Sequence, residues 1–361
     1  MSGNFVQRGE AAIFRKHARA EAAVLSGADL VLELPLPWSV SSAERFAFGA
    51  VSLLNSLGIC THLSFGSECG RIDILKLAAE CVLSPETSEM IKAKLKSGVS
   101  YATARTQAVS QLIGGASSAL EKPNDTLGVE YLKALFRLES RMKPIAIQRF
   151  GAGHDEITAD GFASASHLRN LLRRGEMPWS HIPDPAAKIF LNEVSSGRGP
   201  VFVESCESAV IARLRTMNDV EYSLLPDATE GLALRFARAA RTESDMQSVL
   251  TAAKTKRYAL SRLRRMLTAA YLGVKAEDSN GIPPYARVLA ANGPGRRILD
   301  RISEVRQIPV LTKPASVKNL EARAQRTFEK EAHATDLYVL AYPNVSERRG
   351  GQEWRTSPVM I

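Results

Sequence analysis

Strand-length and helix-length apolar segments alternate through the first 65 residues, and that alternation limits the fold more than any other feature. Residues 11–25 are Ala-rich, with Ile13, Ala20, Val24 and Leu25 on one helical stripe and Gly27 behind it. Residues 29–34 form a short apolar run that Pro35 and Pro37 stop. Ser41 and Glu44 have capping-box spacing at the head of a helical stripe, Ala43, Phe46, Ala50, Leu53, Leu54 and Leu57, which Gly58 closes. A second strand, 62–65, runs into Gly66-Ser67-Glu68. Strands alternating with helices of this length predict a parallel sheet in an α/β domain. The opening residues 1–10 read as the exit from a buried strand into a loop and then a helix; the strand itself is not in the sequence.

Residues 71–142 are mostly helical, with a turn predicted at Pro123-Asn124-Asp125. A third strand, 144–149, precedes a Gly-Ala-Gly-His loop at 151–154, and 164–174 is a helix closed by Gly175. From about residue 185 the chain reads as almost wholly helical with basic faces. Pro183-Asp184-Pro185 suggests a division into 1–183 and 184–361, which 361 residues accommodate. No run of about 18 apolar residues is present, so no membrane span is expected. Four cysteines without a C-x-x-C spacing suit reduced thiols in a cytoplasm. Lys plus Arg is 47 against 38 Asp plus Glu, a net +9 that favours a polyanion, nucleic acid ahead of an anionic membrane. A mildly basic enzyme with no such partner is the plainer alternative.

Several motifs carry possible chemistry. Ser164, Ser166 and Arg169 place hydroxyls and a guanidinium at a helix start, where free N–H groups attract anions; an ordinary cap with a solvated arginine is the plainer reading of these residues alone. Gly66 ends a strand where open α/β sheets bind ligands, or it makes a simple turn. Asn124 suits a base or ribose contact, or an Asx-turn. Arg149 suits a phosphate clamp, or a surface ion pair. Lys254, Lys256, Arg257, Arg262, Arg264 and Arg265 fall on one predicted helical segment, with Tyr258 among them for base stacking; a solvated helix face is the alternative. Scattered histidines, His17 and His154 included, show no metal-ligand spacing, and no G-x-S-x-G occurs.

Taken in order, the blocks Met1-Ser2-Gly3-Asn4-Phe5 with Gln7-Arg8-Gly9-Glu10, residues 29–35, Phe65-Gly66-Ser67-Glu68 and Pro123-Asn124 with Leu127-Gly128 resemble the bacterial tRNA(Met) cytidine acetate ligases. Arg149 with the loop to His154-Asp155, the 164–169 helix start, 254–258, Thr335-Asp336-Leu337-Tyr338 and Gly350-Gly351-Gln352-Glu353 continue the likeness to the end of the chain. The resemblance implies a Rossmann-like nucleotidyltransferase domain over 1–183, lacking its first strands and carrying a helical insertion at about 71–142, then a basic, mostly α-helical tRNA-binding domain over 184–361. It implies ATP and acetate as substrates, Mg²⁺ with the ATP, and an acetyl-adenylate from which acetyl passes to the wobble cytidine N4 of elongator tRNA(Met). ATP contacts fall on Gly66, Asn124 and Arg149, and phosphate contacts on Ser164, Ser166 and Arg169. No resident metal is implied.

The departure from the family is the His-x-Gly-His loop that binds ATP phosphates, which occurs nowhere in the 361 residues. A strand and that loop are expected upstream of Met1, either because the chain starts earlier or because it is genuinely shortened; survival of every later block favours the first. On this reading 29–34 lacks its inner neighbour, and the 361 residues alone make no acetyl-adenylate. The alternatives are an adenylyltransferase for a small metabolite, which has no use for a long basic half, and a non-catalytic RNA-binding protein.

Overall fold

A computed structural model describes residues 1–149, 163–229 and 231–361. The predicted loop at 151–154, with His154 and Asp155, lies outside them. The chain opens with a small hairpin, β1 (Phe5–Val6) and β2 (Glu10–Ala11). Gly9 turns it at φ +72°, and a Cβ there would come within 2.5 Å of the Arg264 backbone, so the turn lies backbone against a later helix. Because 10–11 pair as a strand and Ile13 accepts from Val201 N at 2.8 Å, helix α1 (Lys16–Leu25) starts five residues later than predicted. Strand β3 (Leu30–Glu33), α2 (Leu36–Ser39), α3 (Ala43–Asn55) and β4 (His62–Ser67) follow. The predicted capping box is not formed. Ser42 is the cap residue and makes no cap bond, the Ser41 hydroxyl donates to Pro37 O, and Glu44 reaches Arg137 at 2.7 Å.

Helices α4 (Ile72–Leu83), α5 (Pro85–Leu95), α6 (Tyr101–Ile113) and α7 (Pro123–Arg137) make the helical insertion. Leu75, Val109, Val129 and Leu132 pack beneath Leu63 and Phe65 of β4. The turn predicted at 123–125 is instead the first turn of α7, where proline loses no helical hydrogen bond. Strand β5 (Lys143–Gln148) lies parallel to β4, from His62 opposite Lys143 to Ser67 opposite Gln148.

Beyond α8 (Ala165–Arg173), helices α9 (Asp184–Ser195), α10 (Glu207–Thr216), α11 (Asp219–Ser223), α12 (Leu232–Thr242), α13 (Met246–Ala253) and α14 (Leu260–Leu272) follow. Tyr222, Phe236, Leu263 and Met266 join their core. The second half is less helical than predicted. It adds β6 (Ala286–Ala291), α15 (Gly293–Val305), β7 (Val310–Leu311), α16 (Ala322–Val339), α17 (Gln352–Arg355) and β8 (Val359–Met360). All six residues of β6 are buried, and such a run has no alternation to separate it from a buried helix. Strand β6 pairs antiparallel with β3 and parallel with β7 and β8, so one sheet draws strands from both halves of the chain.

Strand β3 therefore has a neighbour on one edge. On the other, the Met1 amine donates to Leu32 O at 2.6 Å and Met1 O accepts from Leu34 N at 2.8 Å. An apolar cleft of about 460 Å³ lies beside it, with Leu32, Leu53, Leu57, Ile59 and Ile302 in its walls.

Candidate nucleotide and RNA site

Gly66, Asn124 and Arg149 meet at the carboxyl ends of β4 and β5. Arg149 N donates to Ser67 O at 2.9 Å, and a Cβ on Gly66 would touch the Arg149 side chain at 3.5 Å. The start of α7 is bound to this edge by two carboxylates. Glu68 accepts from Asn124 N at 3.2 Å, Asn124 Nδ2 at 2.6 Å and Asp125 N at 2.8 Å. Asp125, fully buried, accepts from Ser67 Oγ, Glu68 N at 2.8 Å and Cys69 N at 3.2 Å. Glu68 is well placed because the first amides of a helix have no partner within it. A carboxylate only accepts, so the Asn124 amide must turn its NH₂ to Glu68, which leaves Oδ1 as a fixed acceptor. Sequence reasoning found Asn124 but missed Glu68 and Asp125 as the brace that aims it. Their signal was an acidic residue just past a strand end and another just inside a helix start.

On α8, Ser164 accepts from His167 N at 3.1 Å, so its hydroxyl serves as a helix cap. Ser166 is half-buried in the first turn. Arg169 lines a cavity with Gly9, Glu10 and Arg264, which brings one residue of the phosphate set beside one of the RNA set.

The six basic residues predicted on one helix are divided. Lys254 is extended at ψ 140°, so Lys254, Lys256 and Arg257 lie exposed between α13 and α14, while Arg262, Arg264 and Arg265 are on α14. Arg265, 12% exposed, donates twice to the Asp227 carboxylate at 3.0 and 2.8 Å. Arg262 donates to Asp227 O at 3.0 and 2.7 Å and to Thr229 Oγ1 at 2.7 Å. These two hold the 227–229 loop. Arg264, 41% exposed with Glu10 at 3.5 Å, faces the cavity. Tyr258, predicted for base stacking, is buried in the helical core because its ring fills space beneath Arg262.

Several of the matching sequence blocks converge elsewhere, on a buried ionic cluster joining the two halves. Lys16 Nζ donates to Glu33 at 2.7 Å and to Glu353, with Glu331 at 3.7 Å; Arg287 pairs with Glu353 and lies 3.7 Å from Glu33. Thr335 Oγ1 donates to Glu353 at 2.7 Å, and Asn4 Nδ2 donates to Thr335 at 3.2 Å. Glu331 also accepts from Leu36 N. Burial raises the Glu331 carboxyl, helped by the negative charge of Glu33, to about 8. Burial acts on Glu33 in the same direction, but Lys16 and Arg287 outweigh it and hold that carboxyl below its ordinary value. The three carboxylates stand close enough to share a cation, and Lys16 and Arg287 supply the positive charge instead.

The profile of the HIGH Nucleotidyl Transferase family matches residues 1–353. The tRNA(Met) cytidine acetate ligase of Thermosipho africanus is 34% identical over the whole chain, covering 91% of that relative. The chain belongs to the tRNA(Met) cytidine acetate ligase family. The same-named protein of Caldanaerobacter subterraneus is 36% identical over 95% of the chain and 87% of its own length. The apo crystal structure of Thermotoga maritima TmcAL superposes with a TM-score of 0.93 at 30% identity, over 100% of the chain and 91% of that protein. A second structure of it, bound with alpha-thio ATP, superposes with a TM-score of 0.91. The α/β, Rossmann-like class expected of a nucleotidyltransferase is thereby established for this ligase family member. Among the described residues no helix is long and apolar enough to cross a membrane.

Proposed function

We propose that this protein is an ATP-dependent acetate ligase that forms N4-acetylcytidine in tRNA(Met). The observation that carries the reading is the braced cluster of Gly66, Asn124 and Arg149, on a fold that matches throughout a homologue bound with an ATP analogue. In this reading Asn124 Oδ1 accepts from the exocyclic amine of adenine, and Gly66 lets the nucleotide approach the β4 backbone. Arg149 and Arg169, with Ser164 and Ser166 at the α8 start, offset charge on the phosphates. An acetate oxygen attacks the α-phosphorus, and pyrophosphate leaves. The cytidine N4 then attacks the acetyl carbon, loses a proton, and AMP leaves. The protein's share is mostly charge stabilisation and positioning. Glu68 is committed to α7 amides and Asp125 to Ser67 Oγ and the Glu68 and Cys69 amides, so Mg²⁺ accompanying ATP would have to rely on phosphate oxygens and water rather than on these carboxylates. Residues 184–361 take the tRNA, with Lys254, Lys256, Arg257 and Arg264 facing its backbone and Arg262 and Arg265 shaping that surface.

The His-x-Gly-His loop is not among the 361 residues. These residues alone are therefore expected to bind tRNA without catalysing ATP–pyrophosphate exchange. Exchange and [¹⁴C]acetate transfer to tRNA are measured with and without an upstream segment supplying the loop. Absence of salt-sensitive tRNA binding sinks the reading.

A further inference from the structure

A cavity of about 240 Å³ opens between the β1–β2 turn, α8 and the α13–α14 pair. One side is apolar, with Ile13, Phe202 and Leu250 in the wall, and the other carries Arg169, Arg173 and Arg264. The carboxylates around it are already engaged. Glu204 holds Arg173 at 2.9 Å, Glu207 accepts from Met246 N at 2.8 Å, and Glu10 stands 3.5 Å from Arg264. The Arg173 guanidinium lies 4.6 Å over the Phe202 ring, so a flat cationic and aromatic surface borders the opening. The space accommodates one pyrimidine nucleoside. An enzyme that modifies a base must take it out of the stack and give its faces apolar or aromatic contact.

We propose that this cavity receives the single pyrimidine nucleotide that is acetylated, its base against Phe202 and Leu250 and its phosphate at Arg173 and Arg264. The proposal rests on the acetate-ligase reading and adds the place where the RNA nucleotide meets the phosphate-facing residue Arg169.

The test uses the whole 361-residue chain and an anticodon stem-loop RNA with 5-iodocytidine at the wobble position. Irradiation is expected to crosslink the base to a peptide containing Phe202 or Leu250. Leu250→Trp, which fills the cavity, and Arg173→Glu, which replaces the phosphate-facing cation at an exposed side chain, are each expected to cut the crosslink about tenfold. Overall RNA affinity is expected to change by no more than about threefold, since most backbone contacts lie elsewhere. Crosslinks mapping outside this cavity, or undiminished crosslinking in Arg173→Glu, overturn the proposal. Failure of the parent chain to bind the RNA overturns the acetate-ligase reading as well, and is seen before any crosslink is read.

Discussion

Glu331→Gln tests the buried cluster through pH. With Glu33, Glu331 and Glu353 ionised against Lys16 and Arg287, the cluster holds three negative and two positive charges, none of the side chains more than 3% exposed. A surplus buried charge costs several kcal/mol, so folding takes up a proton. Glu331 is the site, because its nearest cation is 3.7 Å away while Glu33 has Lys16 at 2.7 Å. Its carboxyl sits at about 8 in the folded protein against an ordinary 4.5. The folded state thus binds more protons between those values. Stability from this group is complete below the ordinary value and is lost as pH rises toward 8. The slope is at most about 1.4 kcal/mol per pH unit and falls off as pH nears 8, so about 2 kcal/mol disappears between about pH 6 and about pH 8. Glutamine still accepts from Leu36 N and cannot ionise. Urea unfolding should therefore show the variant's advantage over the wild type growing by about 2 kcal/mol from the lower pH to the higher one. The Met1 amine, lowered to about 6 by burial, acts with the opposite sign but is common to both proteins and cancels in the difference. A wild type that matches the variant at both pH values, or gains on it as pH rises, refutes the protonated Glu331.

Glu68→Ala removes three hydrogen bonds from the start of α7 and frees the Asn124 amide; about 1–3 kcal/mol of stability should go, with weaker binding of an ATP analogue by calorimetry, and unchanged stability would dismiss the brace. Arg265→Ala and Lys256→Ala separate structure from recognition. The first should cost about 1–3 kcal/mol in urea unfolding through the lost Asp227 pair, whereas the second should leave stability alone and reduce the salt slope of tRNA binding by about one. Gly9→Ala forces a Cβ into the Arg264 backbone at positive φ and should cost about 1–3 kcal/mol from the backbone conformation alone; a thermal melt matching the parent would contradict that packing.

Much of the first half was legible in the residues. The stripe of α3 and the short runs of β3, β4 and β5 each carry a local signal, an apolar pattern bounded by Gly or Pro. The contacts proposed for ATP sit at strand and helix ends, where elementary rules already place ligands. Tertiary structure decided what local pattern cannot carry. Strand β6 reads as one more apolar segment, and only its pairing with β3 across more than 250 residues makes it the sheet's centre. The Lys254–Arg265 stretch carries one continuous charge pattern, yet the break before Leu260 and the pull of Asp227 divide it into exposed cations and structural ones. Lys16, Glu33, Glu331 and Glu353 are ordinary charged residues one at a time, and burial against one another makes them a single ionic cluster. Periodicity, caps and turns act within a few residues and so are written in the sequence itself. Electrostatic coupling, cavity shape and strand partnership depend on distances between distant residues, which exist only once the chain has folded.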